Sequence, residues 1–305
     1  MGIIVKETGD IEQTGRNSLG LKHHLDAFIG GFQKELHIEN DPVRLVRRYD
    51  DPRDREVAGL ITSALSYGNV KIILASVERA LSFLGDHPAE AIAAFQPQTD
   101  SKRLRGFYHR FNTSRDLAVF FWMIRRALED YGSIEKAFLS GLSGEAAESI
   151  DTGAAMDHFS ALMLGFGHER LYPKGELARR AAVRFFLPTP RDGSACKRMN
   201  LYLRWMVRPD DGVDCGVWKG MTPGSLVIPL DTHIARISSY IGLTDRKSPG
   251  WAMAIDITRQ LRVLDAADPL QYDFALCHLG IAGDCPRKRD LQKCMKCPIL
   301  QVCRL

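Results

Sequence analysis

Four thiols near the end of the chain are close enough in sequence to grip one metal centre. Cys285, Cys294, Cys297 and Cys303 lie in CPRKRDLQKCMKCPILQVC, with eight, two and five residues between successive cysteines. Thiolates are soft ligands that suit iron-sulfur clusters or zinc, and two cysteines with two residues between them form a chelating bite. Structural zinc sites usually combine two such bites, and only Cys294 and Cys297 make one here, so the gaps lean towards iron-sulfur, with zinc the alternative. Disulfides are the competing use of these residues. A chain of 305 residues can bury a full core without staples, and seven cysteines with no signal-peptide pattern suggest a reducing cytosol.

Two further strings carry chemistry. Residues 230–236 read LDTHIAR. Asp231 or Thr232 there can cap a helix start by accepting an orphan backbone N–H. A carboxylate at that position also gains from the helix dipole, which suits a group that must stay negative. Residues 193–200 read GSACKRMN. The local reading of Lys197 is a solvated lysine near a helix start; the chemical one is an amine nucleophile.

In this order, the three strings resemble the endonuclease III and adenine glycosylase families of the helix-hairpin-helix DNA glycosylase superfamily. The cluster loop of those families has gaps of six, two and five, so the last two gaps match and the first is two residues longer here. LDTHIAR resembles their VDTHVxR segment, which implies that Asp231 is the catalytic carboxylate. GSACKRMN is similar to their hairpin-to-helix segment GVGRKTAN, with Gly193, Lys197 and Asn200 in register, and implies Lys197 as nucleophile. Ala195 replaces the second hairpin glycine, and Lys197 and Asp231 are thirty-four residues apart, against eighteen in endonuclease III. Residues 208–224, RPDDGVDCGVWKGMTPG, read as the insertion that separates them. The longer separation and the IPLD string are similar to the archaeal 8-oxoguanine glycosylase branch. From about residue 40 the chain also resembles a bacterial family marked by GSACKR, LRWMVR and IPLDTH, which brings no substrate with it.

The resemblance implies an all-α, two-domain helix-hairpin-helix fold with a C-terminal 4Fe-4S loop. By analogy, residues 1–21 form a flexible tail, residues 50–222 a barrel-like domain with the hairpin, and residues 22–49 plus 223–305 a cluster-bearing domain. The implied activity is base excision: a DNA glycosylase with AP lyase activity on a damaged or abasic nucleotide in double-stranded DNA, 8-oxoguanine being one candidate lesion. Lys197 would attack C1' after shedding a proton, which neighbouring cations such as Arg198 favour. Gly193, Ser194, Arg198, Arg287, Lys288 and Arg289 would contact DNA, and Trp218 in the insertion would stack on an extruded base. Two other readings use the same residues: a non-catalytic DNA-binding or damage-sensing module, and a cluster-bearing redox or regulatory protein.

Charge is segregated along the chain. The net charge is +4, yet residues 174–208 hold nine Lys or Arg against Glu176 and Asp192, and residues 284–305 hold six against Asp284 and Asp290. Segregation of this kind suits a phosphate-binding face. No apolar run reaches the length of a membrane span, so the chain is expected in the cytoplasm, associated with the nucleoid through its function. Helix signals dominate: Asp51, Ser248 and Asp268 each precede a proline, and Thr113 with Asp116 resembles a capping box opening LAVFFWMIRRALEDY. About a dozen helices follow from the usual mean length. SALSYGNVKII, residues 63–73, reads as a helix junction stopped at Gly68.

Overall fold

Capping residues set several helix starts in the computed structural model, which describes residues 5–142, 152–166 and 181–305, with side chains from Ser18 onward. Asp51 caps α4 (Pro52–Leu65) by accepting the Arg53 N–H at 2.8 Å, with Pro52 at the first helical position. The Asp116 carboxylate accepts from the Thr113 N–H at 2.7 Å and its hydroxyl at 2.8 Å, closing the capping box of α8 (Ser114–Tyr131). Two of the proline signals do not start helices. Gly250 caps α13 (Trp251–Leu264), two residues after Ser248, and α14 (Asp273–Ile281) begins only after turns that follow Asp268 and Pro269. A proline fixes φ for a turn as readily as for a helix, and here turns take it.

The described residues are all-α apart from one short hairpin. They form fifteen α-helices and two antiparallel strands, β1 (Tyr108–His109) and β2 (Asn112–Thr113). The chain divides into two compact units: residues 35–226, and residues 1–34 with 227–305. The N-terminal share of the second unit therefore ends fifteen residues earlier than the analogy gave, since residues 35–49 pack in the first. Nor is the N-terminus a loose tail throughout: α1 runs Val5–Gly30, with Leu25 and Phe28 buried in its C-terminal half.

In the larger unit α4 packs against α11 (Lys197–Val207) at very close range. A Cβ on Gly59 would lie 2.8 Å from Met206 Cε and 3.2 Å from the Tyr202 ring, so a side chain there would have to displace the Met206 methyl and crowd Tyr202. The Tyr202 hydroxyl donates to the Glu56 carbonyl at 3.2 Å, and Tyr202 and Trp205 join Phe120 and Phe121 in the core. Residues 63–73 are the expected junction: α4 ends at Leu65, Gly68 adopts φ +105°, and Asn69 caps α5 (Val70–Ser82). In the smaller unit α12 (Thr232–Tyr240) packs on α14, with Gly280 at the crossing, where a Cβ would lie 2.6 Å from His233 Nδ1.

Candidate functional site

In the larger unit the candidate residues gather at the start of α11. Pro190–Asp192 form a 3-10 turn, Gly193 follows in the left-handed region at φ +74°, and the chain enters α11 through Cys196 at φ +51°. The second left-handed residue thus falls one place after Ala195, on a cysteine rather than a glycine. A left-handed non-glycine residue costs about 1–2 kcal/mol, and local bonds hold it in place. The Cys196 N–H donates to Ser194 Oγ at 3.0 Å, and the Asn200 side-chain amide donates to the Ala195 carbonyl at 3.3 Å. Burial pushes the Cys196 thiol up to about 12, so it stays protonated at neutral pH.

Lys197 is the first residue of α11 and is half-buried. It lines a cavity of about 730 Å³ with Arg184, Asp192, Ser194, Arg198 and the part-exposed rings of Phe111 and Phe185. A concave space of this size is in the range of small-molecule pockets. Gly193 stands exposed beside it.

Two expected DNA-facing side chains point inward instead. Arg198 is only 7% exposed; it donates to the Ala64 carbonyl at 2.6 Å and to the Phe185 carbonyl, so its reach to a duplex surface is gone. Trp218 is 3% exposed, donates from Nε1 to Glu56 Oε1 at 2.9 Å, and packs against Phe138 and Tyr202. It is a core residue, because the expected insertion folds back on α11 instead of projecting from it. The Cys215 N–H donates to the Trp205 carbonyl at 2.7 Å and the Trp218 N–H to the Met206 carbonyl at 2.8 Å. The basic stretch 174–208 is likewise less of a surface than its count suggests. Arg204 and Arg208 are buried against Asp214, and Lys174, Arg179 and Arg180 lie outside the described residues.

In the smaller unit Asp231 is the N-cap of α12. Its Oδ1 accepts the His233 and Ile234 N–H groups, both at 2.8 Å, which settles the local reading of LDTHIAR as a cap. Oδ2 remains on the other side of the carboxylate, where the Cys277 thiol of α14 approaches at 3.5 Å. The sequence reading passed over Cys277; only the packing of α12 on α14 brings it to Asp231. His233 turns its buried Nδ1 onto Gly280, with no hydrogen-bond partner for that atom.

The opposite end of α12 meets the four cysteines. Cys285, Cys294, Cys297 and Cys303 all line one pocket with Ile237 and Tyr240 of α12, and all seven cysteines are free thiols. Burial raises the Cys285 and Cys297 thiols above the ordinary range, and the neighbouring sulfurs raise them further, while Arg236 opposes this at Cys285. Four thiols lining one pocket are a soft donor set that fits a cationic metal centre. As placed, no three His, Cys, Asp or Glu side chains among the described residues are close enough to share a single ion. The loop is tied to α12 through backbone carbonyls: Arg236 Nη2 donates to Cys285 O at 2.9 Å and the Tyr240 hydroxyl to Arg287 O at 3.0 Å. Asp290 caps the short α15 (Leu291–Cys294), and Arg287, Lys288 and Arg289 are exposed.

Among the described residues no helix is long and apolar enough to cross a membrane. A family model described as Protein of unknown function (DUF2400) matches residues 41–282. The match stops before Cys285, so the four-thiol loop lies beyond it. No curated protein and no solved structure matches the chain.

Proposed function

The chain belongs to the DUF2400 family, and we propose that it is a DNA base-excision glycosylase with lyase activity, built on a helix-hairpin-helix fold. The observation that carries the reading is the placement of Lys197 as the first residue of α11, on the wall of a cavity with aromatic and cationic lining. Asp231, its Oδ1 held by two helix N–H groups that favour the ionised carboxylate, supports it from the other unit.

The substrate is a duplex whose damaged nucleotide must leave the stack, at a cost of a few kcal/mol that is least for a weakened pair. The unprotonated Lys197 amine attacks C1' of that nucleotide while the bond from C1' to the base breaks and the base departs with the electron pair. Asp231 supplies negative charge to the oxocarbenium-like sugar as that bond breaks. Opening of the sugar ring gives a Schiff base on Lys197. Loss of a C2' proton then expels the 3' phosphate and nicks the strand.

Cys285, Cys294, Cys297 and Cys303 would hold a 4Fe-4S cluster. It would order the loop carrying Arg287, Lys288 and Arg289, which contact the DNA backbone without reading sequence. Trp218 takes no part in DNA contact, and Arg198 takes none at the duplex surface.

The test is base release from duplexes carrying 8-oxoguanine, oxidised pyrimidines or uracil. Wild-type protein should release one class of base, and Asp231→Asn should lose at least about 100-fold in rate, the range for removing an electrostatic stabiliser. Release unchanged in Asp231→Asn would remove the carboxylate from the mechanism.

A further inference from the structure

Helix α11 buries a guanidinium for which the described residues offer no carboxylate. Arg198 donates to the carbonyls of Ala64 and Phe185 and lies over two rings, its Cζ 5.0 Å from the Tyr67 centroid and 4.0 Å from that of Phe185. Carbonyl dipoles and ring faces orient a guanidinium but do not carry a full negative charge. Burial therefore lowers its pKa to about 10, with only Tyr67 and Cys196 opposing the shift. A buried cation without a counter-ion costs several kcal/mol, which an incoming anion would offset.

The cavity at Arg198 is made for such an anion. Among its described lining residues Lys197, Arg184 and Arg198 are cationic and Asp192 is acidic. Asp192 is exposed and accepts a hydrogen bond from Thr189 Oγ1 at 3.2 Å. The N-terminus of α11, eleven residues long, opens into the same space, and Cys196 provides no side-chain cap. Phe111 and Phe185 are 47% and 40% exposed, in edge contact at 4.8 Å, so aromatic surface stands beside the positive charge.

We propose that this cavity binds a nucleoside monophosphate unit, with Arg198, Lys197 and the α11 N-terminus on the phosphate and Phe111 and Phe185 against the base. The inference deepens the glycosylase reading, because Lys197 belongs to the same cavity, and it assigns Arg198 to a single phosphate inside the pocket rather than to the duplex surface. A nucleotide within a DNA strand and a free nucleotide present the same chemistry.

Calorimetric titration of the full chain at low salt with thymidine 5'-monophosphate, and separately with thymidine, tests it. The nucleotide should bind at least about ten-fold more tightly than the nucleoside, as expected for one charge-assisted contact. Arg198→Met should remove that difference. Asp192→Asn, a change at an exposed residue that leaves the core alone, should tighten nucleotide binding. Equal binding of nucleotide and nucleoside, or no effect of Asp192→Asn, overturns the proposal. Displacement of the nucleotide by an abasic duplex assigns the phosphate to DNA, and nucleotide binding without displacement assigns it to a free nucleotide; both support the pocket. Base release with no nucleotide preference would sink this inference and spare the glycosylase reading. Nucleotide binding with no base release on any duplex would do the reverse.

Discussion

Helix α11 and its C-cap bury three arginines and treat them in two ways. Towards its C-terminal end Arg204 and Arg208 converge on Asp214, which is fully buried, with Arg204 Nε donating to Asp214 Oδ1 at 3.0 Å and Arg208 Nη1 to Oδ2. At its N-terminal end Arg198 has carbonyls and rings but, among the described residues, no acid. The difference separates structural charge from working charge. Where the role is to pin a loop, the protein supplies the counter-ion itself; where the charge borders a cavity, the counter-ion is left for a ligand to bring.

The contrast can be broken from either end. Asp214→Asn leaves two buried guanidinium groups facing a neutral amide, and should destabilise the fold by about 3–5 kcal/mol in chemical denaturation, as removal of one partner from a buried pair does. Arg198→Met removes a charge for which the described residues offer no acid and leaves two carbonyls short of a donor, so its cost should stay near 2 kcal/mol or below. Equal losses in the two variants would mean that Arg198 is held as firmly as the paired arginines, and the distinction would fall.

Ligand linkage sharpens the same point. Thymidine 5'-monophosphate at about one hundred times its dissociation constant should stabilise the wild-type protein by about 2.7 kcal/mol and Arg198→Met by much less. The smallest effect is alkaline. Burial raises the Tyr67 phenol to about 12, outweighing the nearby Arg198 and Arg110. For an acid whose folded pKa is raised, the stabilisation is complete below the unfolded value near 10 and is lost as pH climbs through the folded value near 12. Ultraviolet titration should show one phenol ionising near pH 12 that is missing from Tyr67→Phe. Ionisation at the ordinary value would place Tyr67 in water.

Much of the frame was legible in sequence because it rests on local chemistry. Asp51 with Pro52, Thr113 with Asp116, Gly68 and the Asp231 cap need only neighbours within a few residues, and each does what its type and spacing suggest. The four cysteines were likewise readable as a group, since short gaps force them together, and they line one pocket. What sequence hides is burial. Arg198 and Trp218 are polar-tipped residues in strings that suggested DNA contact, and both turned inward because their partners, Ala64, Phe185 and Glu56, come from distant segments. Charge counting failed in the same way, since Asp214 neutralises Arg204 and Arg208 from inside the stretch that had read as an insertion. Cys277 lies forty-six residues from Asp231, too far for any spacing rule to link them.

Lys197 as the nucleophile towards the sugar of a damaged nucleotide is open to borohydride trapping, which reports the Schiff base itself. Protein incubated with 8-oxoguanine, oxidised-pyrimidine, uracil or abasic duplexes and reduced with borohydride should form a covalent protein-DNA adduct with at least one of them, and Lys197→Gln should form none. An adduct that persists in Lys197→Gln, or no adduct on any duplex from protein with its four-cysteine centre loaded, would contradict the assignment.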